Sequence, residues 1–385
     1  MPDRLANFDF AQHNAEVKAL WSTFPTGQSP RVPIVFGTNA RYFMVNADAN
    51  PTGIDFRRYT EDPDVMFDAL LQFQRWSRFN LRQDAELGLP ERWSIAPDFQ
   101  NYYEAAYFGS AVEYLSGQVP DTQPEFGAAP ERLLEYGVPE PFAGFGAKAL
   151  SYYEHFQARA QQETFLGRPI TITAPLCGTD GVMTVACNLF GPSFVCEALA
   201  DEPERLHELF DFITEATIRR MTAWRRLAGI PVPNDGFGFA DDSVAMISTA
   251  MYREHILPYH RRLLDAFSTR TQLRGIHLCG DSTRHFGTIR DELNVQVFDT
   301  GFPVDFGGLR RELGPLVRLQ GGPHIELVRS GTPTAIRGEV QRVLQTGVSD
   351  GRRFVLREGN NLAPGTPLEN TDALYNAGRE FGKFQ

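Results

Sequence analysis

Short apolar runs recur along the chain, and turn residues or longer helical patterns separate them. Runs of about four to eight residues, rich in β-branched and aromatic side chains, are typical of β-strands. Eight such runs are present: RVPIVFG from residue 31, RWSIAPD from 92, PITITAPL from 169, DGFGFADD from 235, RGIHLCGD from 274, VQVFDTG from 295, VRLQGGP from 317 and FVLREGN from 354. The pattern therefore predicts eight strands spread over most of the chain.

Between these runs, apolar residues recur about every three or four positions, which keeps one face of a helix apolar. The segment 63–79 begins with a proline, which the first turn of a helix tolerates. The segment 201–227 has the same spacing and is followed by Gly229 as a stop signal. Two further helical patterns occupy 250–267 and 334–347. Strands and helices therefore alternate.

This alternation is typical of parallel βα units, and eight units within this length predict a TIM (β/α)8 barrel. The alternative is an open doubly wound sheet. The first strand is followed by FGTNARYF, which lacks the glycine-rich phosphate fingerprint of that fold. We predict an α/β fold with an N-terminal helical extension over residues 1–30 and a single TIM-barrel domain over residues 31–385.

Composition and charge narrow the classes of partner. The 385 residues carry a net charge of −11 and no concentrated basic cluster, which argues against a nucleic-acid partner. No stretch reaches the apolar length of a membrane span, and the first residues lack the apolar centre of a signal peptide. The four cysteines are irregularly spaced, unlike a disulfide framework. We expect a cytoplasmic protein with no membrane partner.

Polar residues gather at the carboxyl ends of the predicted strands, where the βα loops of a TIM barrel surround one cavity. In strand order they are Asn39, Arg41, Asp98, Cys177, Asp180, Asp241, Asp242, His277, Cys279, Asp299, Gln320, His324, Glu358, Asn360 and Asn361. If the barrel forms, these side chains line a cup of carboxylates, amides and one arginine.

The sequence GIHLCGD, residues 275–281, is the strongest candidate for metal binding. Alternate residues of an extended strand point to the same side, so His277 and Cys279 can aim both side chains at one point. Zinc accepts imidazole nitrogen and thiolate sulfur together. We interpret the pair as metal ligands that need at least one more ligand from elsewhere. The alternative is that both side chains only pack there.

The other polar residues also have structural interpretations. Asp241 and Asp242 are candidates for catalysis, but aspartates at such positions also cap the following helix. Arg41 is either a substrate anchor or a structural partner of an acidic residue. Asp98 follows a proline and is either catalytic or part of a turn.

Several segments, taken in order, resemble the uroporphyrinogen decarboxylase superfamily, which includes porphyrin decarboxylases and cobalamin-dependent methyltransferases. From about residue 30 onward the matching segments are ARYF, ADDSVAMIS, YREHILPYHRRL, HLCGD, LQGGP and APGTPLENTDAL. Members of that superfamily are TIM barrels. The resemblance therefore implies the same fold that the alternation of strands and helices predicts independently.

The decarboxylase branch of that superfamily usually reads Arg-Gln-Ala-Gly-Arg-Tyr after its first strand, with two arginines gripping substrate carboxylates. Here residues 37–42 read GTNARY, so only Arg41 is present, and Asn360 stands where that branch has a histidine. The missing guanidinium removes a charge-assisted hydrogen bond worth about 1.5–3 kcal/mol from a site for a polyanionic porphyrinogen. Asp98 is similar to the central aspartate of that branch.

The methyltransferase branch uses His-x-Cys as zinc ligands and adds a cysteine in the final loop. His277 and Cys279 match this pattern, whereas Asn360 stands at or beside the third position. A carboxamide is a poor zinc ligand beside a thiolate. The resemblance then implies that Asp241, Asp242 or Glu358 completes the ligand set, or that metal is bound weakly or not at all.

Taken together, the resemblance implies a corrinoid-dependent methyltransferase that moves a methyl group between a small substrate and a corrinoid carried on a partner protein, with zinc at His277 and Cys279. A harder ligand set of His, Cys and carboxylate favours demethylation of the substrate. The alternatives are a metal-free decarboxylase or lyase acting on a carboxylated substrate, and a non-catalytic binding barrel. The expected catalytic residues are Asp98, Asp241 and Asp242, and the expected substrate-binding residues are Asn39, Arg41, Tyr42 and Asn360.

Overall fold

The structure, a computed structural model, describes residues 3–269 and 273–384. In this part of the chain, seven of the eight predicted runs form strands, and three short strands lie outside those runs. In chain order the strands are β1 (Trp93–Ile95), β2 (Val112–Glu113), β3 (Asp121–Thr122), β4 (Thr164–Phe165), β5 (Arg168–Ile172), β6 (Phe237–Ala240), β7 (Arg274–Leu278), β8 (Val295–Thr300), β9 (Arg318–Gly321) and β10 (Phe354–Leu356).

All four predicted helical segments form helices with ends close to the predicted ones. The α-helices are α1 (Phe10–Thr23), α2 (Ala40–Val45), α3 (Phe56–Glu61), α4 (Pro63–Asn80), α5 (Tyr103–Tyr107), α6 (Glu131–Tyr136), α7 (Phe145–Gln162), α8 (Val182–Phe190), α9 (Pro192–Asp201), α10 (Pro203–Leu227), α11 (Thr249–Met251), α12 (Leu257–Phe267), α13 (Phe286–Leu293), α14 (Phe306–Leu313), α15 (Ile325–Ser330), α16 (Pro333–Leu344) and α17 (Leu368–Phe381). Short 3-10 turns lie at Phe24–Thr26, Asp242–Met246, Thr283–His285 and Asp350–Arg352.

The predicted helix over 250–267 is divided. A π-helical turn, Tyr252–Ile256, separates α11 from α12. Pro258 lies in the first turn of α12 and has no N–H, so it cannot complete the regular hydrogen bonding of the turn before it. The interruption therefore follows from a proline that helical periodicity does not register.

The strands form two main sheets and a hairpin. In the five-stranded sheet, β6 to β10 lie in chain order and every neighbouring pair runs parallel. In the three-stranded sheet, β1 pairs with β5 in parallel, and β4 adds to β5 as an antiparallel edge. β2 and β3 pair as an antiparallel hairpin. Parallel strands in sequential order, joined by helices, are the arrangement of a βα barrel.

Two isolated bridges extend the larger sheet at its ends. Asp180, which follows β5, pairs in parallel with Ala240 of β6, and Ile34 pairs in parallel with Leu356 of β10. The order of these pairings is the order of a barrel. Among residues 3–269 and 273–384, however, continuous ladders do not close into a ring. The predicted eight-stranded barrel is therefore confirmed only in part by the hydrogen bonding.

The first predicted run makes only isolated bridges, Arg31 with Lys383 and Ile34 with Leu356, because side chains occupy one of its edges. The N–H of Ile34 donates to Asp84 Oδ2 over 2.7 Å, and the N–H of Phe36 donates to Gln83 Oε1 over 2.8 Å. Pro33 between them has no N–H to offer a ladder. The apolar pattern of this run correctly predicts that it is buried. Its backbone hydrogen bonds, however, depend on polar side chains about fifty positions away in sequence.

Two apolar clusters form the core. One surrounds the larger sheet and includes Phe298 and Leu319, both fully buried. The other packs α3, α4 and α7 around β1, with Phe67 and Trp93 at its centre. Helix α1 precedes the first strand-like run, and the division of the chain near residue 30 stays a prediction. The clusters leave the carboxyl ends of β6, β7 and β8 for polar side chains.

No single helix in the described residues is both long and apolar enough to cross a membrane. Helices α8 and α9 meet that criterion only when they are taken together, and the pair is bent by 113° at the break between them.

Candidate metal centre

His277 and Cys279 lie at the carboxyl end of β7, and their side chains converge. Ile276 and Leu278 point into the core, where they are 3% and 1% exposed, so the alternate residues point the other way. His277 Nε2 lies 3.2 Å from Cys279 Sγ. The predicted convergence of the His-x-Cys pair is therefore present in the structure.

Asp242 is the carboxylate that joins the pair. Ala240 of β6 is in register with His277 of β7, which places Asp242 beside Cys279. The N–H of Cys279 donates to Asp242 Oδ1 over 2.7 Å, and the same oxygen lies 3.7 Å from His277 Nε2. One ligand atom from each of the three residues lies within 4.8 Å of the other two. The Asp242 side chain is 46% exposed, so the group opens to solvent.

The other imidazole nitrogen of His277 is anchored by β8. Asp299 is in register with His277, and His277 Nδ1 donates to Asp299 Oδ2 over 2.9 Å. Arg357 donates to the same oxygen over 3.0 Å. A carboxylate on Nδ1 fixes the ring orientation and leaves Nε2 to face Cys279 and Asp242. Asp299 thus orients the imidazole without entering the ligand group itself.

The protonation of His277 reflects these contacts. Burial favours the neutral ring, but hydrogen bonds to Asp299 and Cys279 outweigh it and raise the pKa of His277 to about 10. The metal-free protein therefore holds an imidazolium at neutral pH. A metal ion that binds Nε2 has to displace that proton.

Asn360, from the loop after β10, contacts the cysteine rather than offering an oxygen. Its Nδ2 donates to Cys279 Sγ over 3.1 Å, and its Oδ1 accepts the N–H of Asn361 over 2.9 Å. A donor aimed at sulfur stabilises a thiolate. Asn360 therefore lies at the place that the sequence resemblance gave to a third ligand, but it supports Cys279 instead.

Gly301 makes room for the cysteine. A Cβ at this position would lie 2.6 Å from Cys279 Cα and 2.8 Å from Cys279 Sγ. Such distances are too short for a side chain, so the loop after β8 can approach Cys279 only with glycine.

Asp241 has a different environment from its neighbour. Its side chain is fully buried and accepts hydrogen bonds from the N–H and hydroxyl of Thr184, at 2.8 and 2.7 Å, and from His260 Nε2 at 2.7 Å. The N–H of Met183 donates to it over 3.3 Å. Asp241 thus caps the N-terminus of α8, whereas the sequence suggested the helix that follows it. These contacts give Asp241 a structural role, and its catalytic role stays a prediction.

The residues predicted near the first two strands form a second polar cluster. Arg41 Nε donates to Gln100 Oε1 over 2.7 Å, and Tyr59 donates its hydroxyl to Asp98 Oδ2 over 2.8 Å. Gln100 also bonds to Asp98, which connects the two. Burial raises the pKa of Asp98, opposed by the hydrogen bonds of Gln100 and Tyr59 and by the charge of Arg41. The cluster joins a cation to a half-buried carboxyl.

Two other predicted substrate residues have structural contacts. Asn39 caps α2, accepting the N–H of Arg41 over 3.1 Å. The side chain of Tyr42 is fully buried and donates its hydroxyl to the carbonyl oxygen of Thr366 over 2.6 Å. These contacts assign Asn39 to the start of a helix and Tyr42 to packing.

The sequence model of the uroporphyrinogen decarboxylase (URO-D) family matches residues 18–381. The chain belongs to this family. The match confirms the resemblance inferred from the ordered motifs, and it spans both polar clusters.

The chain is similar to individual members of the family that have a named function, with identities of 24–26%. The chain is 26% identical over 288 residues to a methylated-thiol--coenzyme M methyltransferase of Methanosarcina mazei, covering 74% of this chain and 71% of that protein. It is 24% identical over 344 residues to a uroporphyrinogen decarboxylase of Prochlorococcus marinus, covering 88% and 89%. Another decarboxylase of that species matches at 25% over 191 residues, and the chain spans about half of its length, 52%.

The fold has a solved counterpart. A methyltransferase from Methanosarcina mazei superposes with a TM-score of 0.61 and 18% identity, covering 95% of this chain and 98% of that structure. Together with family membership, this match implies a TIM-barrel α/β fold. The named relatives are enzymes, and the methyltransferase among them supports a methyltransferase-like function for this URO-D protein.

Two residues of the candidate metal centre, Asp299 and Arg357, are not predicted as site residues by the sequence. Asp299 was noted only as a strand end, and Arg357 was not noted at all. The available signal was position: both lie at or just beyond the carboxyl end of a predicted strand. Arginine in an apolar strand such as FVLREGN is costly to bury without a charged partner, and that cost points to a carboxylate nearby.

We expect Glu358 to make the stability of this URO-D protein depend on pH. Its side chain is fully buried, and burial raises its pKa to about 7, against the opposing charge of Arg357. Between about pH 4.5 and 7 the unfolded chain has lost this proton while the folded chain retains it, so stability falls as pH rises. We expect a loss of about 3 kcal/mol from this group. Denaturant unfolding at pH 5 and pH 8 measures the loss.

The matched variant is Glu358→Gln, which keeps the acceptor for the N–H of Gly37 but cannot ionise. We expect its unfolding free energy to fall less between pH 5 and pH 8 than that of the unmodified chain. Other buried carboxyls contribute equally to both proteins and cancel in the comparison. Equal slopes would show that Glu358 does not titrate in this window.

Proposed function

We propose that this URO-D family protein is a zinc-assisted, corrinoid-dependent methyltransferase that moves a methyl group between a small substrate and a corrinoid protein. The observation that carries the proposal is the convergence of Asp242 Oδ1, His277 Nε2 and Cys279 Sγ within 4.8 Å. The relative named for methyl transfer from methylated thiols supports the reaction class.

The chemistry of this donor set fits zinc. Zinc binds imidazole nitrogen, thiolate sulfur and carboxylate oxygen, and catalytic sites commonly use three protein ligands with one position open. His277, Cys279 and Asp242 would hold the ion. The exposure of Asp242 leaves an open side from which a substrate can approach.

Zinc bound there would supply Lewis acidity to the heteroatom that carries the methyl group, making it a better leaving group. The chain's own residues prepare this environment. Asp299 keeps His277 Nε2 directed into the group, and Asn360 donates to the sulfur of Cys279. Because a carboxylate is a harder ligand than a second thiolate, we propose demethylation of the substrate, with the methyl group passing to the corrinoid.

Arg41 and Asp98 have a proposed place in substrate handling. The Arg41 guanidinium is held by the amide oxygens of Gln100 and Asn101. These amide partners add no negative charge of their own, so Arg41, with Asp98 as the nearby carboxyl, can still attract a polar or anionic group of the substrate. Asp98 would complete this second contact region.

A decarboxylase or lyase is the second candidate. It is favoured by the half-buried carboxyl of Asp98, whose pKa is raised by burial, beside Arg41, and by the decarboxylase of Prochlorococcus marinus that matches most of the chain. Such a reaction would need no zinc. The metal requirement therefore separates the two candidates.

The test is methyl transfer to free corrinoid in its reduced cobalt(I) form, with a panel of methylated amines, ethers and thioethers as donors. We expect the zinc-loaded protein to form methyl-corrinoid and the zinc-depleted protein to lose this activity, with recovery on adding zinc. Decarboxylation of a carboxylated substrate by the zinc-depleted protein would instead support the second candidate. Methyl transfer that persists at full rate without zinc would contradict the role given to the metal.

A further inference from the structure

Arg357 contacts both residues that hold the candidate metal ligands, Asp299 beside His277 and Asn360 beside Cys279. Its guanidinium lies between the ends of β8 and β10, with a side chain that is 13% exposed. We infer that Arg357 is a positioning residue that holds His277 and Cys279 in the geometry needed to bind metal. This inference rests on the zinc site of the proposed function. Arg357 is not one of the proposed zinc ligands, but it holds the residues that orient them.

The first connection runs through Asp299. One terminal nitrogen of Arg357 donates to Asp299 Oδ2 over 3.0 Å, and that oxygen accepts from His277 Nδ1 over 2.9 Å. The guanidinium therefore keeps the carboxylate in place and neutralises its charge. Asp299 in turn keeps a proton on Nδ1 and directs Nε2 to the metal position, where the ion replaces the Nε2 proton.

The second connection runs through the loop after β10. The other terminal nitrogen of Arg357 donates to the carbonyl oxygen of Asn360 and lies 3.3 Å from Asn361 Oδ1. The amide of Asn360 then donates to Cys279 Sγ over 3.1 Å. The same guanidinium thus fixes the loop whose side chain holds the sulfur.

This arrangement requires the planar fork of arginine. The two terminal nitrogens serve two different partners, which the single ammonium of lysine cannot do in the same geometry. It also requires Gly37, because a Cβ there would lie 2.0 Å from Arg357 Nη2 and 2.3 Å from Asn361 Oδ1. Gly37→Ala therefore displaces the guanidinium without removing any polar group.

The experiment measures the affinity of the full-length protein for Zn²⁺ by competition with a chromophoric chelator. Changes to the residues that orient metal ligands typically weaken binding about 10- to 100-fold. We expect Asp299→Asn and Asn360→Ala each to weaken binding by about this much, and Arg357→Lys by at least as much as the larger of the two. Gly37→Ala should resemble Arg357→Lys.

A double-mutant comparison separates positioning from loss of stability. If Arg357 acts through Asp299, Arg357→Lys weakens zinc binding less in the Asp299→Asn background than in the unmodified chain. If Arg357→Lys acted only through a general loss of stability, it would weaken zinc binding by the same factor in the unmodified chain and in the Asp299→Asn background. The visible spectrum of the Co²⁺-substituted protein adds a direct report, because displaced ligands change its band positions and intensities.

Arg310→Lys is the matched control. Arg310 is a buried arginine that donates to main-chain carbonyl oxygens, including those of Val348 and Val317, and it does not contact the metal centre. We expect Arg310→Lys to lower the thermal unfolding temperature while leaving zinc affinity unchanged. Thermal unfolding of every metal-free variant identifies those that fail to fold, and Gly37→Ala then provides the independent displacement of Arg357.

The outcomes distinguish this inference from the proposed function. Zinc affinities of Arg357→Lys and Gly37→Ala equal to that of the unmodified chain would overturn the inference and leave methyl transfer standing. Weakened binding without any methyl transfer would support the inference and count against the proposed reaction. Failure of the unmodified chain to bind zinc would overturn both.

Discussion

Replacement of Cys279 by alanine is expected to remove zinc from the protein and with it the proposed methyl transfer. Sulfur is the strongest zinc ligand of the three, and alanine leaves only His277 Nε2 and Asp242 Oδ1 within reach of one another. We expect about one zinc per chain in the unmodified protein and almost none in the variant. Elemental analysis after gel filtration checks both values.

Cys196→Ala is the matched control, since Cys196 is a free cysteine packed against the core. It should retain its zinc. Zinc retained by Cys279→Ala would place the metal elsewhere on the chain. A zinc-free unmodified protein, even after incubation with the ion, would remove the zinc mechanism and direct attention to Arg41 and Asp98.

Substitution of Asp241 is expected to reduce mainly the stability of the protein, and substitution of its neighbour Asp242 mainly the affinity for zinc. Asp241→Ala removes a fully buried carboxylate and leaves His260 and the first N–H groups of α8 without an acceptor. A buried donor left without an acceptor typically costs about 1–3 kcal/mol, and this substitution leaves several. Asp242→Ala removes one acceptor from a side chain that is 46% exposed, so we expect a cost of about 1 kcal/mol.

The effects of the two substitutions on zinc affinity should have the reverse order. Asp242→Ala should weaken it strongly, because a ligand is lost, whereas Asp241→Ala should affect it only as far as the fold is loosened. Chemical denaturation of the metal-free proteins and zinc competition measure the two quantities separately. Asp241→Ala with normal stability and abolished zinc binding would contradict the structural role of Asp241 and return it to the ligand group.

Much of the fold was predictable because it follows from local patterns. Short apolar runs rich in β-branched and aromatic residues favour strands, and seven of the eight predicted runs form strands in the described chain. The exception, 31–37, uses side-chain oxygens of Gln83 and Asp84 in place of a neighbouring strand. Such replacement depends on residues distant in sequence, and periodicity carries no information about it.

The candidate site divides in the same way. The alternation of side chains along an extended strand is local, so His277 and Cys279 could be placed on one side of β7 before the structure was known. The identity of the third ligand was open among Asp241, Asp242 and Glu358. The register between β6 and β7 places Asp242 beside the pair, while Asp241 turns inward to α8 and Glu358 bonds to Gly37.

The sequence by itself determined the alternation of strands and helices, the family, and His277 and Cys279 as the candidate pair of metal ligands, because each follows from neighbouring residues or from ordered motifs. Only the tertiary structure decided that Asp242 completes the group and that Asp299, Asn360 and Arg357 support it. These contacts depend on the register between neighbouring strands and on the position of the loops to within a few tenths of an ångström. Hydrogen bonding and metal binding are sensitive to such distances, whereas the apolar pattern that drives folding is not.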